Sequence, residues 1–472
     1  MFTRNCFWPF CVMALLIVFI QTFALRAQDD ARAKIAALEK KLRANPKQFD
    51  WGVHNELRHL YSAIDPKKSF HHCDVILLHR PMDGYILDIL GARGWADDPG
   101  AAAERLLASA TKYPQFKFVS AACWLKSAEL LASDKTRGRA LLKQIAAMKG
   151  TGLDHYRTAA AARLAALDRP ITRAPWTIPV LVVNYFPLTA DKQKIDIKVT
   201  SNVGAPLKTI AAKCKRMTQE TIAALESGSR FRPYRDAKAG PSLKYKVVGE
   251  ITFYEPVPHH LKKKNYTDYN KIMRRINVKD WIEQKGVREI WIWGYHSKQI
   301  APVESNMASV HGNVSNSHRD PFDLPILKHT YTVHHYNYER GASMAVHNHL
   351  HQIEAVMRHH GGELWKRFEG KPGAWRAGNC HFPVNGKSDY DYANKAHVES
   401  DIEDWRPEGF GKKQKINCDR WNGDDMKWYV YWMQAIPGAA NGLTFQNRPL
   451  SNWWEFLGDY DQAVRRKTKL TD

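Results

Sequence analysis

Cysteine is scarce in this chain and never closely spaced. The seven cysteines of its 472 residues form no Cys-x-x-Cys pair, so a thiolate zinc site is not expected. No Gly-x-Ser-x-Gly elbow is present, and no Cys/His arrangement stands out, which argues against a serine or cysteine hydrolase. No His-Glu-x-x-His occurs, so no zincin mechanism follows. Nucleic-acid-binding motifs are missing as well, and no specific nucleic acid is expected as partner. Beyond the first residues no apolar run is long enough to span a bilayer. Acidic charge is also in deficit: 48 Asp and Glu stand against 70 Lys and Arg, a net +22.

What is present begins with an export leader. Arg4 gives a positive n-region, Phe7 to Ile20 is almost wholly apolar, and Ala24 and Ala27 are small residues before Gln28-Asp29-Asp30. The pattern predicts a signal peptide over residues 1–27, hence a secreted, periplasmic or cell-envelope protein with no transmembrane span once it is removed. Cys73, Cys123, Cys214, Cys380 and Cys418 would remain, with Cys73–Cys123 and Cys380–Cys418 as conceivable disulfides. The positive charge suits an acidic extracellular polymer or an anionic surface. Its tight clusters are Lys262-Lys263-Lys264 and Arg465-Arg466-Lys467; the bland alternative is a charge that serves solubility. A hydrophobic content of 44% with 16 Trp excludes general disorder.

The pattern divides the chain into residues 30–167, a linker over residues 168–176, and residues 177–472. The first part is rich in Ala and Leu at helical spacing. Helices are expected at Ala31 to Leu42, Ala101 to Lys112, Val119 to Ala132, Lys135 to Lys149 and His155 to Leu167. Their paired lengths resemble tetratricopeptide-like repeats, whose usual role would be contact with a protein partner. Pro170 and Pro175 mark the linker.

Apolar runs then alternate with helical ones: Ile178 to Phe186, Leu243 to Tyr254, Val287 to Trp293 and Thr330 to Tyr336 as strands, Thr218 to Ser227 and Tyr269 to Lys285 as helices. The expectation is an α/β domain, its largely parallel sheet covered by helices on both faces, with a loop-rich C-terminal extension after the all-α part. Sites in such sheets lie outside the C-terminal strand ends. Glu304 and Asn306 follow one predicted strand there, and Glu339 and Arg340 another.

The segment Tyr336 to His360 follows the last of these strands. At about 100° per residue, Ala342, Ala345, Val346, Leu350, Ile353, Val356 and Met357 form one face. Arg340, Ser343, His347, His351, Glu354 and Arg358 form the other. Two imidazoles one turn apart can reach one metal ion, and a carboxylate three residues on can join them or orient one. His347, His351 and Glu354 are therefore candidate ligands for a divalent metal, zinc first and calcium second; a solvated polar face is the alternative. Further on, Asp389 and Asp391 alternate with Tyr390 and Tyr392, which in an extended segment would put both carboxylates on one side. A loop held by its own Asp and Asn side chains is the competing possibility.

Several phrases resemble an uncharacterised family of exported bacterial proteins with more distant fungal relatives. They are LESGSRFRPY, WIWGYHSKQIAPVESNM, YNYERG, HNHLHQIE, DYDYAN and SDIEDW, spread over Ile178 to Asp461. The resemblance implies that His351 and Glu354 are the central pair, and brings no activity with it.

Two functions are consistent with these features. One is an exported hydrolase acting on an extracellular polymer or its fragments. Glu304, Glu339, Arg340, His351, Glu354 and His381 would do its chemistry, and Asn306, Arg358, Asn385, Asp389 and Asp391 would bind substrate. The other is a non-catalytic binding protein for cell-wall or acidic polysaccharide, relying on charge and on aromatics such as Trp428, Tyr431, Trp432, Trp453 and Trp454.

Overall fold

The computed structural model describes residues 30–471 except 47, 63, 81–82, 84–85, 88–98, 113–114, 132–134, 167–171, 261–264, 317–322 and 467–469. The leader, the Lys262-Lys263-Lys264 cluster, Lys467 and the first half of the predicted linker lie outside the described residues. No described helix is long and apolar enough to cross a membrane.

The first part is helical, as its Ala/Leu spacing predicts. It comprises α1 (30–44), α2 (Trp51–Tyr61), α3 (Pro66–His79), α4 (Pro99–Lys112), α5 (Lys117–Leu130), α6 (Lys135–Ala147) and α7 (Asp154–Ala166). Helices α2 and α3, which the sequence reading did not propose, start from Asp caps. Asp50 accepts from the Val53 N–H and Asp65 from the Lys68 N–H, and Pro66 opens α3. Consecutive helices from α4 onward pack on one another around Leu106, Ala122, Leu142 and Tyr156.

The second part is a five-stranded sheet in the order β2-β1-β3-β5-β4. Strands β1 (Trp176–Tyr185), β2 (Leu243–Phe253), β3 (Glu289–Gly294) and β5 (Tyr331–Asn337) pair in parallel. The short β4 (Asn306–Ala308) runs antiparallel at one edge. Interior strands β1 and β3 are rich in Val, Ile and Trp, and β5 is largely buried despite its two histidines, because helices cover both of their faces. Edge strand β2 is half-exposed, and Lys244 and Lys246 line it, discouraging pairing with another chain.

On one face lie α8 (Leu207–Gly228) and α11 (Ala342–Glu369). There the Trp293 indole N–H donates to the Thr218 hydroxyl, and His349 of α11 stacks on His334 of β5 at 3.8 Å between ring centroids. On the other face lie α9 (Tyr269–Arg275) and α10 (Val278–Glu283), where the Tyr269 hydroxyl meets His335 Nδ1. The single helix expected over Tyr269 to Lys285 is broken at Asn277, whose φ of 51° is left-handed. Gly249 is needed where α10 crosses β2, because a Cβ there would lie 2.4 Å from the Trp281 ring. Burial pushes the Glu289 carboxyl at the start of β3 up to about 7, and lowers His334 to about 3.

The helical part is not isolated from the sheet. Val310 and Ile326, from the segment joining β4 to β5, are buried in its apolar core. Beside them the carboxylate of Asp461, on the C-terminal helix Tyr460–Arg466, accepts from the Thr330 N–H and hydroxyl. Burial opposes its charge, but the hydrogen bonds from His329 and Thr330 win and hold it well below the ordinary carboxylate range.

Because the folded-state pKa is depressed, this contribution is complete above the unfolded carboxyl value of about 3.9 and lost as pH falls below it. Asp461→Asn should therefore cost about 1–3 kcal/mol at pH 7. Urea unfolding at pH 7 and pH 3 should show the gap between variant and parent shrinking on acidification. An equal gap at both pH values would refute the assignment.

Candidate metal centre

Helix α11 has no solvated face over its first four turns. It begins at Gly341, and every residue from Val346 to Met357 is buried, polar ones included. From the sequence, the helical arc of Arg340, His347, His351, Glu354 and Arg358 is expected to be a functional site, with a solvated polar face as the alternative. Two later segments cover that side. One is α12 (Asp425–Met433), whose Tyr429 ring stacks on His347 at 5.5 Å and 7°. The other is the turn-rich stretch 376–394, which carries Cys380, His381 and Tyr390 against the helix.

The result is a cluster of four metal-binding side chains: His347, His351, Cys380 and His381 each offer an atom within 4.8 Å of the others. His381 Nε2 lies 3.2 Å from His351 Nε2, and the Cys380 sulfur lies 3.5 Å from His351 Nδ1. Both ring nitrogens of His347 are buried without a hydrogen-bond partner. Burying an imidazole with neither nitrogen satisfied is costly, and a metal ion is the partner that three imidazoles and a thiol would share. Burial, with His351 and His381 nearby, lowers His347 to about 3, so it stands neutral. The groups suit a borderline ion such as zinc; calcium prefers an all-oxygen cage that this cluster does not offer.

Carboxylates surround the cluster. Glu304 lies at its open side, with its carboxylate 3.8 Å from His351 Nε2 and held by the Asn316 amide. Glu354, three residues after His351, is buried beneath it. It accepts from the Cys380 N–H at 2.8 Å, sits 3.7 Å from His351 Nδ1 and receives Arg358 at 3.3 Å. Burial raises the Glu354 pKa, but His351, Arg358 and the Cys380 N–H together bring it below the ordinary value. Burial likewise lowers His351, and Glu354 and Glu304 more than restore it, so its pKa is raised. Burial and the nearby Glu354 push the Cys380 thiol far up. Asp389 lies 3.6 Å from His381 Nδ1, and the half-exposed Tyr390 places its hydroxyl 3.2 Å from His381 Nε2.

Thus the fold brings His347, His351, His381, Glu304, Glu354 and Asp389 together. Glu354 supports the cluster and is not among its four ligand groups. Arg358 is occupied by Glu354 and Glu369, the latter at 2.6 Å. Asn306 donates to Asp323, while Asn385 and Asp391 hold the loop itself. Asn385 donates to the Asn394 and Ala396 carbonyls, and Asp391 accepts from Lys387 and Asn394. Glu339 and Arg340 stay at the C-terminal strand edge, where Glu339 meets Asn202 and Lys213. No contact among the described residues joins either to the histidines. The centre lies on the outer side of α11, because the helix carries His347 and His351 on the face opposite His349, which packs on the sheet. The Asp389–Asp391 segment is a turn with Tyr390 at φ 62°, so its two carboxylates do not share a side as an extended strand would require.

Cysteine supplies two corrections. All five described cysteines are free and buried, so neither expected disulfide forms. Cys380 joins the cluster without any Cys-x-x-Cys, since the fold and not local spacing assembles the donors. Its adjacency to His381 was a readable signal; Tyr429 gave none. In comparisons with family models, curated proteins and solved structures, nothing matched this chain.

Glu354→Leu should lose about 2 kcal/mol, since it strands the buried Cys380 N–H and removes one of the two carboxylates that hold Arg358. Glu304→Gln, at the open side, should stay within about 0.5 kcal/mol of the parent. Chemical denaturation of both variants tests this, and equal losses would contradict the division between supporting and reactive carboxylates.

Proposed function

We propose that the chain is an exported, metal-dependent hydrolase acting on an anionic extracellular polymer or its fragments, with zinc at the centre. One observation carries the reading: three imidazoles and a thiol converge in one cluster, three of the four side chains buried, and neither nitrogen of His347 has a hydrogen-bond partner. A bound ion would lower the pKa of a water and polarise the scissile carbonyl or phosphoryl group. Glu304 acts as general base, being the carboxylate at the open side of the cluster. Asp389 orients His381, and Tyr390 lines the mouth. The export leader and the net charge of +22 support the compartment and the anionic substrate. The phrases HNHLHQIE and DYDYAN, through which the chain resembles exported bacterial proteins, contain His351, Glu354, Asp389 and Tyr390; the more distant relatives match His351 and Glu354 without His347 or His349.

The binding-protein alternative loses its aromatic platform. Trp428, Tyr431, Trp432, Trp453 and Trp454 are all buried and pack on one another or on their neighbours.

Hydrolysis of acidic polysaccharides should cease on chelation and return with zinc. Glu304→Gln should retain zinc yet lose activity about 10²–10⁴-fold. Unchanged hydrolysis by the chelated chain would sink the reading. Full activity in Glu304→Gln would remove that residue from it.

A further inference from the structure

Between the two outward-facing histidines of α11 stands His349, which points the opposite way, into the sheet. There it meets His334 of β5 and Glu289 of β3, all three buried. His334 Nε2 lies 4.0 Å and His349 Nδ1 3.9 Å from the Glu289 carboxylate, with the imidazoles stacked face to face.

The outer nitrogens of both imidazoles are fixed from behind: His334 Nδ1 faces the Glu304 carbonyl at 3.3 Å and His349 Nε2 faces the Tyr336 hydroxyl at 2.7 Å. The Trp291 indole N–H orients Glu289, donating at 2.7 Å to Oε2, the oxygen that also faces the two imidazoles. Metal-binding histidines are oriented in this way, one nitrogen tied to a carbonyl or hydroxyl while the other turns to the ion. The nitrogens left over, His334 Nε2 and His349 Nδ1, are the two that face Glu289.

Space is also present. A cavity of about 50 Å³ borders Glu289, His334 and His349, room for an ion with a water. It shares Arg288, Gly458, Asp459 and Asp461 with an outer cleft of about 560 Å³.

We propose that Glu289, His334 and His349 form a second zinc site on the sheet side of α11. Two imidazoles and a carboxylate are a donor set for a borderline divalent ion, and a water from the cavity would complete four-coordination. The ion would tie together β3, β5 and α11, the helix that carries His347 and His351 of the outer centre. Glu304 links the sites: its carbonyl meets His334, and its carboxylate lies beside His351.

The test is metal stoichiometry on the full chain, stripped with chelator and refilled with zinc or cobalt(II). Two equivalents are expected, with a thiolate-to-cobalt absorption band accounting for only one of them. The variant His347→Ala/Cys380→Ser should keep one equivalent with no thiolate band, and adding Glu289→Gln should weaken it more than about tenfold. A parent chain that holds one equivalent carrying the thiolate band, or no metal at all, overturns the inner site. One equivalent without that band would instead overturn the outer centre and leave the inner one standing. Because the parent chain decides the matter, a misfolding variant does not remove the test.

Discussion

Helix α11 is buried on both sides, and the rest of the structure depends on that constraint. An ordinary surface helix buries one stripe and leaves its polar residues to water. Here the sheet takes one side, and α12 with the 376–394 stretch takes the other, so water is denied to His347, Asn348, His349, His351, Gln352 and Glu354 alike. Each must find a partner inside the protein or remain a cost of burial. Asn348 donates to the His335 carbonyl, Gln352 to the Val314 carbonyl, and Glu354 accepts from Cys380. The histidines gather in two groups, one on each side of the helix, and His347 has no hydrogen-bond partner in either.

Two carboxylates of the outer centre differ because their surroundings differ. Glu354 is buried and held by a backbone N–H and Arg358, so its negative charge is fixed beneath His351. Glu304 accepts from the Asn316 amide and remains partly open to solvent. That contrast in burial separates the two carboxylates more clearly than position along the chain could. Gly362, at φ 50°, kinks α11 just after this region, and the two turns beyond it carry Trp365 and Phe368 into the Trp405–Trp453 cluster. Polar and apolar work are thus divided along one helix.

The helical N-terminal part reaches the same scaffold indirectly. Val310 and Ile326 leave the sheet edge to enter its core, and Asp461 pins Thr330 at the start of β5 from the C-terminal helix. Strand β5 in turn supplies His334 and leads into α11. Three distant stretches of chain therefore converge on the strand that sets the position of the helix.

Local patterns in the sequence determined a good deal of this. Ala/Leu spacing marked the N-terminal helices, continuous Val, Ile and Trp runs marked β1 and β3, the aromatic and β-branched run from Thr330 marked β5, and their alternation with helices implied a parallel sheet, because each of these signals is written within a few residues. Spacing of four and three likewise singled out His347, His351 and Glu354, since residues so placed share a helix face whatever lies around them. Other features depend on distant neighbours and were not legible. Whether that face met water or protein was decided by Tyr429 and the Cys380–Tyr390 loop, and whether Cys380 paired with Cys418 or approached His351 was decided by how that loop folds. His349 could not be told from an ordinary core histidine until β3 and β5 set Glu289 and His334 opposite it. Periodicity assigns a residue to a face; only packing decides what that face meets, because donor atoms from separate segments come within bonding distance only after the core has closed.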